Sequence, residues 1–337
     1  MNTKEFPLVS IVMKTRNRSA LLREALKYLT SQTYSPLEIL VIDHDSTDDT
    51  KEVVRSFGEM VRYYKHTGTY LDTYNVFRDK VRGVFISFMD DDDYITPDCI
   101  EKLANVLLSR EAIDIVFARK QFYTTLKDRC MIFETTRKIH SNQIKKLFLR
   151  NNIVHWNSVL IRKSCLEKVP KLESHLTGAW DWFFWSHMLF AGLTFYQLNE
   201  ILGFIQRRHD SVQFELERMS KGSLECVQFY GKNLNLFEKI SFGYWNVYGN
   251  RLINYGILVL EKGQVHKGRY LILKGIFNAF FGIVGRKKLF IAFLVWLFSI
   301  ISSPVTARRS VEKLFKNYYF RNYFEIEALK NKTGNRG

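Results

Sequence analysis

The chain has 337 residues, of which 46% are hydrophobic and 15% aromatic, and its formal net charge is +16. This composition supports a folded core and excludes global disorder, and the length allows one large domain or one domain with a substantial extension. The charge is concentrated in residues 221–337, which hold 19 Lys and Arg against 6 Asp and Glu, whereas residues 1–110 hold 15 against 17. An evenly basic nucleic-acid binder is therefore disfavoured, and no nucleic-acid partner is expected.

The four cysteines lie far apart in the sequence, and none forms a Cys-x-x-Cys pair. This spacing fits neither a disulfide framework nor a zinc finger, and it is typical of a protein in a reducing compartment. The N-terminal segment MNTKEFPLVSIVM has no long apolar region before its first strand-like run, so no signal peptide is expected. We therefore predict a cytoplasmic location.

Strand and helix patterns alternate along the first ninety residues. Apolar runs predict buried strands at 8–13, 37–43 and 84–89, and the segment VRYYKH at 61–66 predicts a further strand. Helical spacing of apolar residues predicts helices at 19–32, 46–57 and 70–81. This alternation implies right-handed crossovers, and therefore an α/β protein with a Rossmann-like, mainly parallel sheet flanked by helices.

Four adjacent aspartates, Asp90 to Asp93, follow the fourth predicted strand. Polar loops at 14–18 and 43–46 follow the first and second strands, and ligands of open parallel sheets bind at these carboxyl ends. Adjacent carboxylates repel one another unless a cation or water screens them, and carboxylate oxygens suit Mg²⁺ or Mn²⁺ shared with substrate phosphates. The run therefore indicates a metal–phosphate site, with a solvated acidic loop as the alternative. No P-loop or G-x-G-x-x-G is present, which disfavours a nucleoside triphosphatase or a dinucleotide enzyme.

Three segments together resemble glycosyltransferase family 2, the inverting nucleotide-sugar transferases of GT-A fold. They are VSIVMKTRNR at the first strand, VIDHDSTDDT after the second and FMDDDDY at the acidic run, and the resemblance extends over about residues 7–210. It implies a GT-A fold and a nucleotide-diphosphate sugar donor, with a UDP sugar as the first expectation. It also implies Mn²⁺ or Mg²⁺ held by the D-x-D carboxylates, Asp90 and Asp92.

The resemblance also implies which residues bind the donor. They are Thr15, Asn17, Asp43, His44, Asn75, Asp91, Arg208 and His209. The chain departs from the family pattern at several neighbouring positions. Lys14 replaces a proline, Arg16 a tyrosine, His44 an aspartate and Tyr74 an arginine. These departures leave the identity of the nucleotide base open.

The aromatic segment GAWDWFFWSHMLF resembles the part of the family that carries the general base. The usual base position falls on Ala179, and Asp181 is the only acid between Glu173 and Glu200. An inverting displacement needs a base near the acceptor hydroxyl, so Asp181 is the predicted catalytic residue. The alternative is an acid that stabilises a helix N-terminus. Candidates for stacking on sugar faces, or for the core, are Trp156, Trp180, Trp182 and Trp185.

From about residue 216 the pattern changes to basic, aromatic-rich helices. The thirteen residues 289–301 carry no charge, and as a helix they would reach about 20 Å, short of a hydrocarbon core of about 30 Å. We predict that these helices lie in the interface of an anionic membrane, with a buried subdomain and a true span as alternatives. The predicted domains are a GT-A domain at 1–215, with donor half about 1–110 and acceptor half about 111–215, and a helical, basic region at 216–337.

The predicted function is metal-dependent, inverting transfer of a sugar to a hydroxyl of a cell-surface glycan or a lipid-linked saccharide, on the cytoplasmic face of the cell membrane. One alternative is a sugar-phosphate nucleotidyltransferase, although such an enzyme would need a glycine-rich loop after the first strand and KTRNRS contains no glycine. The other is a non-catalytic, membrane-associated sugar-nucleotide binding protein, motivated by Ala179.

Overall fold

The structure is a computed structural model that describes residues 6–126, 129–206 and 216–280, together with Phe293, Trp296 and Leu297. The chain divides into two compact units, Met1–Phe214 and Glu215–Gly337. Arg208 and His209, and the uncharged segment 289–301 apart from those three residues, lie outside the described part of the chain.

The first unit is built on a twisted sheet of nine described strands. They are β1 (Val9–Thr15), β2 (Leu37–Asp43), β3 (Val61–Lys65), β4 (Phe85–Asp90), β5 (Tyr94–Ile95), β6 (Ile115–Leu126), β7 (Arg129–Thr135), β8 (Val159–Arg162) and β9 (Phe195–Gln206). The order across the sheet is β3-β2-β1-β4-β8-β6-β9-β5, and β7 pairs with β6. The first four positions are parallel, as expected, whereas β8 runs antiparallel to both of its neighbours.

Helices cover the sheet of the first unit. They are α1 (Ser19–Thr30), α2 (Thr50–Arg55), α3 (Thr73–Val76), α4 (Cys99–Ser109), α5 (Ile144–Arg150) and α6 (Trp180–Phe190). The face of α1 that packs on the core carries the four residues that helical spacing selects: Leu22, Ala25, Leu26 and Leu29. In contrast, α6 is apolar on nearly all sides and is largely buried, including Trp180, Trp182 and Trp185. With Trp156 also only 4% exposed, all four candidate tryptophans belong to the core.

Two helices are shorter than the sequence pattern predicts. Residues 70–81 form a 3₁₀ turn (Tyr70–Asp72), the short α3 and a second 3₁₀ turn (Phe77–Asp79). This stretch is rich in Thr, Tyr, Asn, Val and Phe, which have low helix propensity, and a capping box of Thr69 and Asp72 closes its first turn. The predicted helix 46–57 begins only at Thr50, because residues 46–49 form a loop.

The second unit consists of helices in its described part: α7 (Leu216–Asn233), α8 (Leu236–Phe242), α9 (Tyr244–Glu261) and α10 (Val265–Phe280). Close contact of α9 with α10 depends on glycines, since a Cβ built on Gly256 would lie 3.0 Å from the Gly268 carbonyl oxygen. No residue of α8 is buried. Among the described residues, no helix has the length and apolarity that crossing a bilayer requires.

Candidate active site

The carboxyl ends of β1, β2 and β4 meet at one edge of the sheet, as the sequence predicts. Strand pairing aligns Lys14 of β1 with Asp90 of β4, and Thr15 with Asp43 of β2. The loops that follow these strands therefore begin side by side. This edge brings together most of the predicted donor-binding residues and the acidic run.

The four aspartates alternate between buried and partly exposed positions. Asp91 is 4% exposed and Asp93 7%, whereas Asp90 and Asp92 keep more of their surface accessible. Asp91 accepts hydrogen bonds from the Thr15 hydroxyl (2.7 Å) and the Arg18 guanidinium (3.0 Å). Burial raises the pKa of Asp91, and the contacts with Arg18 and Thr15 oppose that shift. Asp91 is thus held by the protein itself.

Asp93 is also held by donors of the first unit. Its two carboxylate oxygens accept hydrogen bonds from the Asn157 amide (3.1 Å) and the Gln206 backbone N–H (3.1 Å). Burial, together with the charges of Asp90 and Asp92, raises the pKa of Asp93 well above its ordinary value. Asp93 therefore connects the acidic run to the acceptor half of the sheet.

Asp90 and Asp92 are the carboxylates of the run that have more exposed surface to offer a ligand. Arg18 lies 3.3 Å from one oxygen of Asp92, whose side chain is 12% exposed. Among the described residues, no cluster of three or more His, Cys, Asp or Glu side chains has the arrangement of a metal site. Two carboxylates are nevertheless a fitting protein donor set for Mg²⁺ or Mn²⁺, since such ions take one or two carboxylates and complete their shell with water and substrate phosphates.

A buried lysine lies beside the acidic run. Lys14 is 8% exposed, and its ammonium lies 3.5 Å from the ring centroid of Tyr74 and 4.8 Å from that of Trp156. Burial lowers the pKa of Lys14 to about 8, and the negative charges of Asp90, Asp181 and Asp91 limit that shift. The ammonium therefore occupies a position electrostatically linked both to the acidic run and to α6.

Asp181 lies in the first turn of α6, directly after Ala179 and Trp180. Its Oδ2 accepts a hydrogen bond from the Asn152 amide (2.7 Å), and its Oδ1 accepts one from the Trp182 N–H (2.8 Å). Burial raises the pKa of Asp181, while the Trp182 N–H and Lys14 lower it. Ala179 has a left-handed φ of 53°, which costs a non-glycine residue about 1–2 kcal/mol and marks a sharp turn into α6.

The loop after β1 is pinned to the loop after β2. Asn17, at a left-handed φ of 50°, accepts a hydrogen bond from the Thr47 N–H (2.8 Å) through its side chain. Asp43 is 1% exposed and accepts hydrogen bonds from the Tyr63 hydroxyl (2.6 Å) and from Ser46. Asn17 and Asp43 thus brace the loops after β1 and β2 through contacts with the protein.

His44 and Asn75 differ in whether a polar side-chain atom remains available to a ligand. His44 is 9% exposed, and its Nε2 lies 2.9 Å from the Gly68 carbonyl oxygen. Because a carbonyl only accepts, Nε2 carries a proton, so Nδ1 is an acceptor in the neutral ring, and that buried Nδ1 has no partner among the described residues. The side-chain amide of Asn75 donates a hydrogen bond to the Leu172 carbonyl and accepts one from the Leu172 N–H. Asn75 thereby fixes the segment before α6.

Sequence reasoning missed the roles of Arg18, Tyr74 and Lys14 in this site. Arg18 bonds to the acidic run, and the other two form a cation–π pair at its side. A usable signal was present, because the end of β1 and the loop after it hold three basic residues, at 14, 16 and 18, in a part of the chain that is otherwise slightly acidic. Basic residues in a loop that converges with an acidic one predict ion pairs.

The mixed α/β sheet, with helices on it and an acidic run at its parallel edge, has the GT-A type of fold. The protein-family model described as glycosyl transferase family 2 matches residues 10–169, so this part of the chain belongs to that family. The chain is a glycosyltransferase, and the fold and enzyme class expected from the sequence are confirmed. Family membership favours sugar transfer over the nucleotidyltransferase alternative.

Several known proteins are similar to this chain. An uncharacterised glycosyltransferase of Rickettsia typhi is 24% identical over 77% of each chain. A GalNAc(5)-diNAcBac-PP-undecaprenol beta-1,3-glucosyltransferase of Campylobacter jejuni is 33% identical over 29% of this chain and 33% of its own. The mannosyltransferase PcManGT of Pyrobaculum calidifontis, solved with GDP-Man and Mn²⁺, has a TM-score of 0.58 at 14% identity, covering 96% of this chain and 85% of its own. This last likeness concerns the fold.

Proposed function

We propose that this glycosyltransferase moves one sugar, with inversion and with the help of a divalent metal, from a nucleotide-diphosphate donor to a hydroxyl of a lipid-linked or cell-surface saccharide. The observation that carries the proposal is the surrounding of the Lys14 ammonium, where the charges of Asp90 and Asp181 act on the same group. This supports placing the acidic run and the candidate base in one site, although Asp90 and Asp181 are 91 positions apart in the sequence.

Asp90 and Asp92 are the proposed ligands of Mn²⁺ or Mg²⁺. A bound ion would supply charge neutralisation for the departing nucleoside diphosphate. Arg18 and Thr15 hold Asp91 in place between the two ligands. By fixing Asp91, they also orient the backbone that presents Asp90 and Asp92.

Asp181 is the proposed general base. It takes the proton of the acceptor hydroxyl as that oxygen attacks the anomeric carbon from the face opposite the nucleotide, and the bond between the anomeric carbon and the phosphate oxygen breaks with its electron pair passing to the diphosphate. A buried carboxyl with a raised pKa is a better proton acceptor than a free one, which supports this role. The proposed diphosphate contacts of Arg208 and His209 rest on the family resemblance alone.

The donor pocket is proposed at the joined loops after β1 and β2. Four of the predicted donor-binding side chains form hydrogen bonds to other protein groups: Thr15, Asn17, Asp43 and Asn75. Their proposed role is therefore to shape the pocket rather than to recognise the nucleotide base. His44 keeps a buried acceptor nitrogen available. An acceptor suits the imide N–H of uracil, in line with the expected UDP sugar, and it equally suits guanine.

Replacing Asp92 by Ala tests the metal site. We expect the variant to lose Mn²⁺-dependent release of nucleoside diphosphate from UDP sugars or GDP-mannose, and to lose the Mn²⁺-dependent part of the thermal shift caused by UDP or GDP. Glu24→Ala is the matched control, because it removes one carboxylate from an exposed position of α1. An Asp92→Ala variant that keeps full metal-dependent turnover would remove this assignment.

The second unit is proposed to bind the surface of an anionic membrane on the cytoplasmic side, which would bring the enzyme to a lipid-linked acceptor. The Campylobacter jejuni relative is named for an undecaprenol-linked saccharide substrate, which supports such an acceptor. On α10, Tyr270, Leu273 and Phe277 are 60, 47 and 66% exposed, and they share one helical face, as spacings of three and four residues require. Lys267 and Lys274 flank this face, which suits anionic headgroups.

The short helix α8 adds to the exposed apolar surface of the second unit. Leu236, Phe237 and Ile240 are 67, 77 and 66% exposed.

In a flotation assay, we expect the protein to rise with phosphatidylglycerol vesicles and to be released by salt. The double substitution Leu273→Ser and Phe277→Ser on α10 is expected to weaken flotation. Leu108→Ser, at an exposed leucine of the first unit, is the control. Equal flotation of the α10 variant and the control would reject this surface.

A further inference from the structure

The Lys14 ammonium is held by aromatic rings rather than by hydrogen-bond acceptors. It lies 3.5 Å from the ring centroid of Tyr74, 4.8 Å from that of Trp156 and 5.9 Å from that of Tyr70. Cation–π contacts of this kind stabilise a desolvated cation. They leave the three N–H donors of the ammonium without oxygen partners.

Among the described residues, no group accepts a hydrogen bond from the Lys14 ammonium, and no carboxylate lies within the 4.0 Å of an ion pair. Asp90, Asp181 and Asp91 act on it through charge at longer range. Only 8% of Lys14 is exposed, so water has little access to its ammonium. A ligand oxygen that reaches the ammonium can therefore supply an acceptor that the described residues do not.

The charges around Lys14 indicate what kind of acceptor fits. The charges of Asp90, Asp181 and Asp91 already act on this one ammonium, and Asp181 is neither a proposed metal ligand nor paired with Arg18, so a further anion such as a phosphate or a sugar carboxylate would meet repulsion from Asp181. A neutral hydroxyl oxygen accepts the hydrogen bond without adding charge. The position also matters, because the charges of the proposed metal ligand Asp90 and of the proposed base Asp181 both act on it, and the sugar being transferred must lie near both residues.

We propose that Lys14 is a specificity-determining residue that donates a hydrogen bond to a hydroxyl of the transferred sugar, and that the donor sugar is neutral. This inference rests on the proposed function, since it requires the sugar to lie between Asp90 and Asp181. It concerns a lysine at a position where the family resemblance leads one to expect proline, which has no side-chain donor.

The test uses calorimetry to distinguish the contribution of the sugar to binding from that of the nucleotide. Dissociation constants for UDP and UDP-GlcNAc, and for GDP and GDP-mannose, are measured with Mn²⁺ for wild type, Lys14→Met and Lys14→Gln. For whichever pair binds, we expect Lys14→Met to bind the nucleoside diphosphate within about three-fold of wild type, and to bind the sugar nucleotide at least about ten-fold more weakly. Lys14→Gln keeps a neutral donor and is expected to retain part of the difference.

Lys163→Met is the matched control, because the Lys163 ammonium already donates to the Val81 carbonyl (2.9 Å) at the opposite end of β4. It should leave the ratio of the two constants unchanged. A measurement on the unaltered protein guards against misfolded variants: brief acetylation of lysines should be slowed at Lys14 by the sugar nucleotide more than by the nucleotide alone.

The outcomes distinguish two kinds of failure. If Lys14→Met weakens the nucleotide and the sugar nucleotide equally, or changes neither, or if acetylation of Lys14 is insensitive to the sugar, the inference is wrong while the proposed function stands. If wild type binds none of the four nucleotides, the donor site itself is refuted, and the role of Lys14 with it.

Discussion

Asp181→Asn tests the proposed base with little change in shape. The Asn oxygen can keep the hydrogen bond from the Trp182 N–H, but its amide nitrogen then faces the Asn152 amide, which donates to Asp181 across 2.7 Å in the native protein. One hydrogen bond to a charged group is lost, which costs about 1.5–3 kcal/mol. Because the native carboxylate is itself unfavourably buried, as its raised pKa shows, we expect a net loss of only about 1 kcal/mol in the free energy of unfolding.

The expected loss of activity is much larger than this loss of stability. A positioned general base contributes about 10²- to 10⁴-fold to the rate, which corresponds to about 3–5.5 kcal/mol of activation free energy. An acid that only stabilises the N-terminus of α6 would contribute about 0.3–1 kcal/mol, and to stability rather than to turnover. The two roles therefore differ by orders of magnitude in turnover.

The assay is release of nucleoside diphosphate from saturating donor, with donor binding measured separately. Asn152→Ala is the control, because it breaks the same hydrogen bond but keeps the carboxylate. We expect Asp181→Asn to lose at least about 100-fold in kcat, Asn152→Ala to lose less than about ten-fold, and both to bind donor normally. If Asp181→Asn stays within about ten-fold of wild type, or matches Asn152→Ala, Asp181 is not the base.

Two further predictions concern stability. Burial alone would raise the pKa of Glu38, but hydrogen bonds from Ser10, the Arg82 N–H and Arg62 hold that pKa below its ordinary value. The ionised Glu38 therefore stabilises the fold above its unfolded pKa, and this stabilisation is lost as pH falls through the folded pKa. In urea unfolding, Glu38→Gln should lose about 1.5–3 kcal/mol at pH 7 and progressively less towards pH 3, and a loss that does not vary with pH would contradict this assignment. In calorimetry, Gly256→Leu should lower the free energy of unfolding of the helical unit by about 1–3 kcal/mol through overpacking, because even its Cβ would lie 2.9 Å from the Leu271 Cβ. An unchanged melting temperature would show that α9 and α10 are not so close.

Local sequence pattern predicted the first half of the sheet well. β1, β2 and β4 are short, mainly apolar runs bounded by polar loops, a pattern typical of buried strands, and α1 shows a clean helical face. The second half depends on pairings that no local pattern contains. For example, β6 pairs with β9 over residues 115–123 and 195–206, so strands about 80 residues apart in sequence meet side by side. Such contacts are set by the tertiary fold.

The site divides in the same way. Family motifs identify the carboxylates, and the register of β1 with β4 follows from the predicted sheet. What the sequence does not contain is the set of partners each side chain finds. Asp43 and Asn75 were expected to face the donor, yet their hydrogen bonds go to Tyr63 and Leu172. A polar residue at a strand end can bind ligand or brace a loop, and only its surroundings distinguish the two.

Four like charges side by side are tolerable here because the chain turns at Asp90–Asp93, which gives the four side chains different surroundings. Asp91 and Asp93 turn inward and are met by Arg18, Thr15 and Asn157, so the protein itself compensates two of the four. Asp90 and Asp92 remain on the accessible side as a pair that one divalent cation could match. Metal affinity should then depend on these two residues, whereas loss of Asp91 or Asp93 should first appear as loss of folding stability.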